Sequence, residues 1–341
     1  MKIDHELLVE PGQNFVVDSF KPEDALGVAS LFYSIYGSEY PFETYYIPEK
    51  IIEENSNGNV YTVVARTAKG DIIGHGALYR SSPPNKALYE VGQYLVLKSY
   101  RHTFAAFKIN KYIAEVLVPK VPLCGYFGEA VTHHVATQKT SLLVGAKEAA
   151  IELELMPAAS YEKEAGTKNR ITCINYYQSV RDRPQRFFVP GVYRNAIEYL
   201  LSGMALDREL APANGTPPAG SCSRIDSRFF RFAGVGRLNV ESCGADFDTV
   251  MSPLEAQAKS EQIVVLQCFL NLDQPWVGAA VECLRSKGFC LGGYLPRWFE
   301  TDGLLMQKIN HRPAFDSIML HSERARALMQ FVRQDWDLIH L

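Results

Sequence analysis

The sequence predicts an α/β protein, a mixed central sheet flanked by helices, with a second and shorter run of the same layers beyond a linker. Three observations carry this. From residue 15 to residue 155, short apolar runs with strand periodicity alternate with runs of helical periodicity. Residues 211–223 hold three Pro and two Gly among Ala, Asn, Thr and Ser, a composition that interrupts packed structure. Beyond that segment the alternation returns: Gly145 and Gly288 each close a helix, and Met156-Pro157 and Leu295-Pro296 each close a strand.

Residues 15–20 read as the first strand. Pro22-Glu23-Asp24 opens the following helix, because Pro is preorganised for a first turn and the acids face the positive end of the dipole. Leu26, Val28, Leu31, Phe32 and Ile35 form its apolar side as far as Tyr36-Gly37. Residues 60–66 and 72–80 form a hairpin around Ala68-Lys69-Gly70-Asp71. Residues 87–97 give the next strand, and a helix over 102–117 carries Ala106, Ile109, Ile113, Val116 and Leu117 on one side. A strand over 126–132 and a helix over 136–144 follow, the helix capped by Gly145. Ile151-Glu152-Leu153-Glu154-Leu155 alternates strictly, which predicts a strand with one buried face. In the second half, 229–232 and 237–240 read as a hairpin, 254–259 as a helix and 263–270 as a buried strand. An amphipathic helix over 276–287 and strands over 290–294 and 304–309 complete it.

Composition excludes several functions. The 35 Lys and Arg against 38 Asp and Glu leave a net charge of -3, so no overall field draws the chain to nucleic acid or to an anionic membrane. No apolar stretch reaches the ~20 residues of a membrane-spanning helix, and acids stand where a secretory signal would need an apolar run, so a cytoplasmic protein is expected. Seven widely spaced cysteines, without Cys-x-x-Cys or a His pair at ligand spacing, predict reduced core thiols and no metal. There is no Gly-x-x-x-x-Gly-Lys-Ser/Thr loop and no Gly-x-Ser-x-Gly elbow, which argues against P-loop and serine-hydrolase chemistry.

The segment richest in chemistry is Tyr89-Glu90-Val91-Gly92-Gln93-Tyr94-Leu95-Val96-Leu97-Lys98-Ser99-Tyr100-Arg101, a strand running straight into a helix. Such a junction presents backbone N–H groups at the positive helix end, an anion site suited to a pyrophosphate. With it stand the strand-helix-Gly-strand order of residues 129–155, Tyr36-Gly37-Ser38-Glu39-Tyr40-Pro41 and Tyr45-Tyr46-Ile47-Pro48. Ala130-Val131-Thr132-His133-His134-Val135-Ala136-Thr137-Gln138-Lys139 and Gly288-Phe289-Cys290-Leu291-Gly292-Gly293-Tyr294-Leu295-Pro296 belong to the same pattern. Together these resemble the Gcn5-related N-acetyltransferase (GNAT) superfamily. The resemblance implies an acetyltransferase-like domain over 1–165, a connecting strand, helix and Pro/Gly-rich linker over 166–221, and a degenerate acetyltransferase-like domain over 222–341.

In that superfamily a (Gln/Arg)-x-x-Gly-x-(Gly/Ala) motif holds the pyrophosphate of acetyl-coenzyme A. Arg101 takes its first place and Ala106 its last, whereas Phe104 stands where glycine is expected, so its ring either points away from the loop or reshapes the site. The implied coenzyme contacts are the backbone of Leu95, Val96 and Leu97, which would polarise the thioester carbonyl, the loop Arg101, His102, Thr103, Phe104, Ala105 and Ala106, and Thr137. Glu90 is the implied general base, with Glu129 second. The place of the general acid falls on Ser141, far less acidic than the tyrosine usual there, with His134, His133 and Tyr100 as other donors. His133 and His134 are expected on opposite faces of a strand. Tyr36, Tyr40 and Tyr45 are implied to line the acceptor pocket.

The expected activity is therefore acyl-coenzyme A-dependent N-acyl transfer, with acetyl-CoA or another acyl-CoA as co-substrate. A small-molecule or peptide amine is the acceptor, without a nucleic-acid or membrane partner and compatibly with a homo-oligomer. The other reading, favoured by Phe104 and Ser141, is a non-catalytic acyl-coenzyme A sensor or protein-interaction scaffold on the same fold.

Overall fold

The computed structural model describes residues 2–5, 8–157 and 169–340. The chain forms two compact units, Met1–Ser81 with Tyr89–Tyr126 and Ser82–Leu88 with Phe127–Leu341. The domain boundary expected at residues 165–166 lies outside the described residues. Among the described residues no helix is long and apolar enough to cross a membrane.

The first unit contains β1 (Phe15–Ser19), α1 (Ala25–Tyr36), α2 (Pro48–Ser56), β2 (Val60–Thr67), β3 (Ile72–Tyr79), β4 (Leu88–Val96) from Tyr89 onward, and α3 (Ala105–Tyr112). Its strands pair antiparallel in chain order. The β2–β3 turn closes through Thr67 N–H to Asp71 O at 2.9 Å, with Gly70 at φ 90° supplying the left-handed residue. The start of α1 is fixed by buried Asp24, which accepts from Arg66 Nε at 2.6 Å and again from its terminal nitrogen. Val28, Leu31 and Phe32 of α1 form a core with Val64, Ile72 and Leu95 on one face of the sheet. On the other face α3 lies almost against the backbone: a Cβ on Gly74 or Gly76 would come within 2.9 or 2.6 Å of Ile109. The helix expected over 102–117 is shorter. It begins at Ala105 and gives way after Tyr112 to a wider π-type turn over Ile113–Leu117.

The second unit takes β5 (Gly125–Val131) from Phe127 onward, then α4 (Ala136–Leu143), β6 (Lys147–Met156) and β7 (Ile171–Ser179). β8 (Gln185–Val189) and β9 (Arg208–Pro212) form a small parallel pair. After them come β10 (Arg224–Phe230), β11 (Val235–Ser242), a helix Phe247–Ser260, β12 (Val265–Asn271), a helix Val277–Ser286, β13 (Cys290–Leu295), β14 (Gly303–Ile309) and a final helix Glu323–Ile339. The sheet order is β5-β7-β6-β13-β14-β12-β11-β10. It contains the strand-helix-strand-strand unit twice, as β5-α4-β6-β7 and again from β12 to β14, meeting where Gly293 pairs with Ala150. β11 and β12 run parallel.

Three expectations are corrected in this unit. β6 does not have one buried face: Glu148, Glu152 and Glu154 are as buried as the apolar residues between them. Each is paid for by partners, Ser322 and Arg324 for Glu148, Gln267 and Arg237 for Glu152, and His311 for Glu154. The helix expected over 254–259 starts at Phe247 and accommodates Pro253 in its interior. The loop expected over 211–223 begins inside β9, which runs to Pro212.

Candidate functional site

Glu90 is the third residue of β4 and lies directly opposite Tyr79 of β3, whose hydroxyl donates to its carboxylate. Alternation puts Tyr79, Ala77 and His75 on one face of β3, opposite the face on which Gly74 and Gly76 meet α3. There Phe32 of α1 meets His75 edge-on at 5.1 Å and stacks on Tyr45 at 4.5 Å. Tyr40 lies 4.9 Å from Phe32 and 5.0 Å from Tyr36, so the rings run from the surface, where Tyr36 is 40% exposed, into the core. Burial pushes the Tyr40 and Tyr45 phenols up, and the Glu90 charge adds to the shift, so both remain neutral hydroxyls at physiological pH. Glu90, Tyr36, Tyr40 and Tyr45 are thus brought together.

β4 is bulged. Gly92 pairs with Ala77 and Leu95 with His75, which leaves one extra residue on β4 between the two pairs. Gln93, within the bulge, adopts φ 55°. Its carbonyl accepts from His75 Nδ1 at 2.9 Å. His75 is wholly buried, and burial lowers its pKa to about 4 against the opposing effect of the Gln93 bond, so the imidazole is neutral at pH 7. Past the bulge, Leu97 N–H donates to Ile73 O at 2.9 Å. In an antiparallel strand the neighbouring residue then turns its N–H and C=O to the opposite edge. That residue is Val96, whose carbonyl accepts from Arg101 Nε at 3.4 Å.

Arg101 closes a short 3-10 turn, Lys98–Tyr100, four residues before α3. His102, Thr103 and Phe104 are exposed, Phe104 to 75%, so its ring is not packed into the core. Thr103 shapes the helix start: its hydroxyl donates to Tyr100 O at 2.7 Å and accepts from Ala105 N–H at 3.2 Å. Lys108 N–H reaches Phe104 O, while the amides of Ala106 and Phe107 have no acceptor among the described residues.

His134, Thr137 and Ser141 belong to the second unit. Ser141 Oγ donates to Thr137 O at 3.1 Å within α4. His133 and His134 are not on a strand: they follow β5 in a bend, and their rings meet edge-on at 4.4 Å, so the expectation of opposite faces does not hold. Glu129 accepts from Arg237 at 2.9 Å.

That arginine, which the sequence did not single out, organises a buried ionic cluster. Arg237 of β11 also contacts Glu152 of β6 at 3.3 Å and Gln267 of β12 at 2.9 Å, and it lies over the Phe269 ring at 6.0 Å. It donates to Ser82, and Asn239 beside it donates to the Ser82 carbonyl. Burial, then the Glu129 charge, push the Glu152 carboxyl up to about 7, with Arg237 opposing. His75 and Gln93 were missed as well. Their signals were a polar residue between two glycines, Gly74-His75-Gly76, and a polar residue next to Gly92 in an apolar strand.

No protein-family model matches the chain, and no curated protein matches it. Among solved structures, the ribosomal-protein-S5-alanine acetyltransferase of Vibrio fischeri is 13% identical over 48% of this chain and 92% of its own, with a TM-score of 0.37. An N-acetyltransferase of Staphylococcus aureus is 13% identical over 49% of this chain and 98% of its own, with a TM-score of 0.38. The spermidine/spermine N-acetyltransferase of Vibrio cholerae is 12% identical over 49% of this chain and 92% of its own, with a TM-score of 0.38. Over about half its length the chain is similar to structures of GNAT-family acetyltransferases.

Proposed function

We propose that the first unit transfers an acyl group from an acyl-coenzyme A directly to an amine. The observation that carries this reading is a single bulged strand. β4 faces a carboxylate to an aromatic cluster at one end and ends at a helix start whose amides are unfilled at the other.

The acceptor amine would enter between Tyr36, Tyr40 and Tyr45, rings that favour its cationic form on arrival. Glu90 then takes a proton, which frees the nitrogen lone pair to attack the thioester carbonyl carbon. Val96 N–H, on the strand edge that Arg101 also faces, stabilises the oxygen charge that develops. The C–N bond forms, the C–S bond breaks, and the thiolate leaves with its electron pair and takes up the second proton, which the acylated nitrogen sheds to become a neutral amide. A thiol pKa of ~8.5 lets it depart without the hydroxyl of Ser141, which donates to Thr137. The pyrophosphate suits the Ala106 and Phe107 amides with Arg101 and His102, provided that the exposed Phe104 side chain swings clear of them.

Phe104 in the glycine place of the motif favours a second reading, an acyl-coenzyme A sensor without turnover. Thiol release from acetyl-coenzyme A over a panel of polyamines, amino acids and aminoglycosides separates them. Release with any amine supports transfer, and saturable binding with no release supports the sensor.

A further inference from the structure

We infer that His75 is a positioning residue for this site: its Nδ1–H, donated to the Gln93 carbonyl, holds the bulge that brings Glu90 and the Val96 amide into one register. Its purpose rests on the transferase reading above, whereas the clamp itself rests on geometry alone.

The bulge changes the parity of β4. Glu90 and Gly92 lie opposite Tyr79 and Ala77, on the α1 face. Tyr94 turns to the α3 face, where its hydroxyl meets Asn110 at 3.2 Å. Leu95 is back on the α1 face, in the core with Phe32 and Val64. In a regular strand residues 90, 92 and 94 would share a face and residue 95 would not. If the bulge relaxed, Leu95, Val96 and Leu97 would slip by one place and exchange edges, and the Val96 N–H would turn towards β3.

Gln93 sits at φ 55°, a region a residue with a Cβ rarely occupies unless its surroundings hold it there. The 2.9 Å bond from His75 supplies that hold from the neighbouring strand. A carbonyl only accepts, so Nδ1 bears the hydrogen and Nε2 the lone pair. Nε2 is buried and finds no partner among the described residues. An apolar side chain against Phe32 and Tyr45 would strand no nitrogen there. What the imidazole adds to this place is the Nδ1 donor.

An asparagine side chain offers its N–H near the Nδ1 position of a histidine, and a glutamine offers it near Nε2. Amide hydrogen exchange over residues 92–97 of the full chain should accelerate ~10-fold or more in His75→Gln and His75→Phe, and stay within ~3-fold of wild type in His75→Asn. With acetyl-coenzyme A and the amine the wild type uses best, kcat should fall ~10-fold or more in the Gln and Phe variants with KM held, and recover in the Asn variant. Where His75→Phe fails to fold, the Asn and Gln pair carries the comparison. Native exchange in folded His75→Gln, or equal behaviour of Asn and Gln, overturns the clamp. A wild type that releases no thiol removes the transferase reading while the exchange result stands.

Discussion

β4 and β11 each lead into a helix, and the two junctions differ in what stands at the helix start. After β4 the chain passes Arg101 to α3 and leaves the amides of Ala106 and Phe107 without an acceptor among the described residues. After β11 the chain ties down the loop before the helix and sets a carboxylate at the helix start. Cys243 N–H donates to Gln274 at 2.7 Å, Gly244 N–H to Ser223 Oγ at 2.8 Å and Ala245 N–H to Ser221 O at 3.0 Å. The Asp246 carboxylate accepts from Ser223 N–H at 2.7 Å and sits at the helix start, where it complements the dipole and would repel a phosphate. The third residue of each strand differs in the same sense. Glu90 faces a ring cluster reached from the surface, whereas Arg237 is locked between Glu129 and Glu152. An anion suits a helix start only where no carboxylate already stands there; Asp246 holds that place after β11, and Phe104 holds it after β4.

Substitutions at matched places sharpen the contrast. Glu90→Gln should lower kcat for acyl transfer by ~10²–10⁴-fold with acetyl-coenzyme A affinity unchanged, read by thiol release and calorimetry. Arg237→Met, at the corresponding place in β11, should act on stability instead. It leaves two buried carboxyls without their cation and should cost about 3–5 kcal/mol in denaturant unfolding.

Arg101→Ala should weaken acetyl-coenzyme A binding ~10-fold or more with little effect on unfolding. Gly244→Ala should leave that affinity alone and destabilise by about 1–3 kcal/mol, because its Cβ would stand 2.4 Å from the Ser221 carbonyl oxygen.

The smallest effect is one of pH. The folded chain holds the Glu152 proton up to about 7, against the ordinary 4.5. Stability from this group is therefore full below 4.5 and is lost as pH rises towards 7. His75, with its pKa lowered to about 4, acts in the opposite direction, so the difference between wild type and Glu152→Gln isolates Glu152. That difference should shift in favour of the variant as pH rises through this window. A constant difference in unfolding free energy would show that Glu152 is not protonated in the fold.

Where the sequence could be read, local chemistry decided the outcome. Pro22 and Asp24 at the start of α1 and Gly70 in the β2–β3 turn act within a few residues of themselves, and they lie where periodicity placed them. The glutamates of β6 misled because alternation reports one apolar face, while the other is buried by partners more than a hundred residues away, Gln267, His311 and Ser322. The bulge at Gln93 depends on His75, eighteen positions earlier on another strand, and no spacing rule links them. Glu90 could be picked out by its place before the junction, but its hydrogen bond from Tyr79 could not, since that depends on strand register.

The most direct test is calorimetric titration of the full chain with acetyl-coenzyme A, run beside Arg101→Ala and Gly244→Ala. Saturable binding at a single site, weakened by the first substitution and untouched by the second, is the expected result. No heat at high micromolar coenzyme, or binding that Arg101→Ala leaves unchanged and Gly244→Ala abolishes, would contradict the assignment of the coenzyme site to the junction of the first unit.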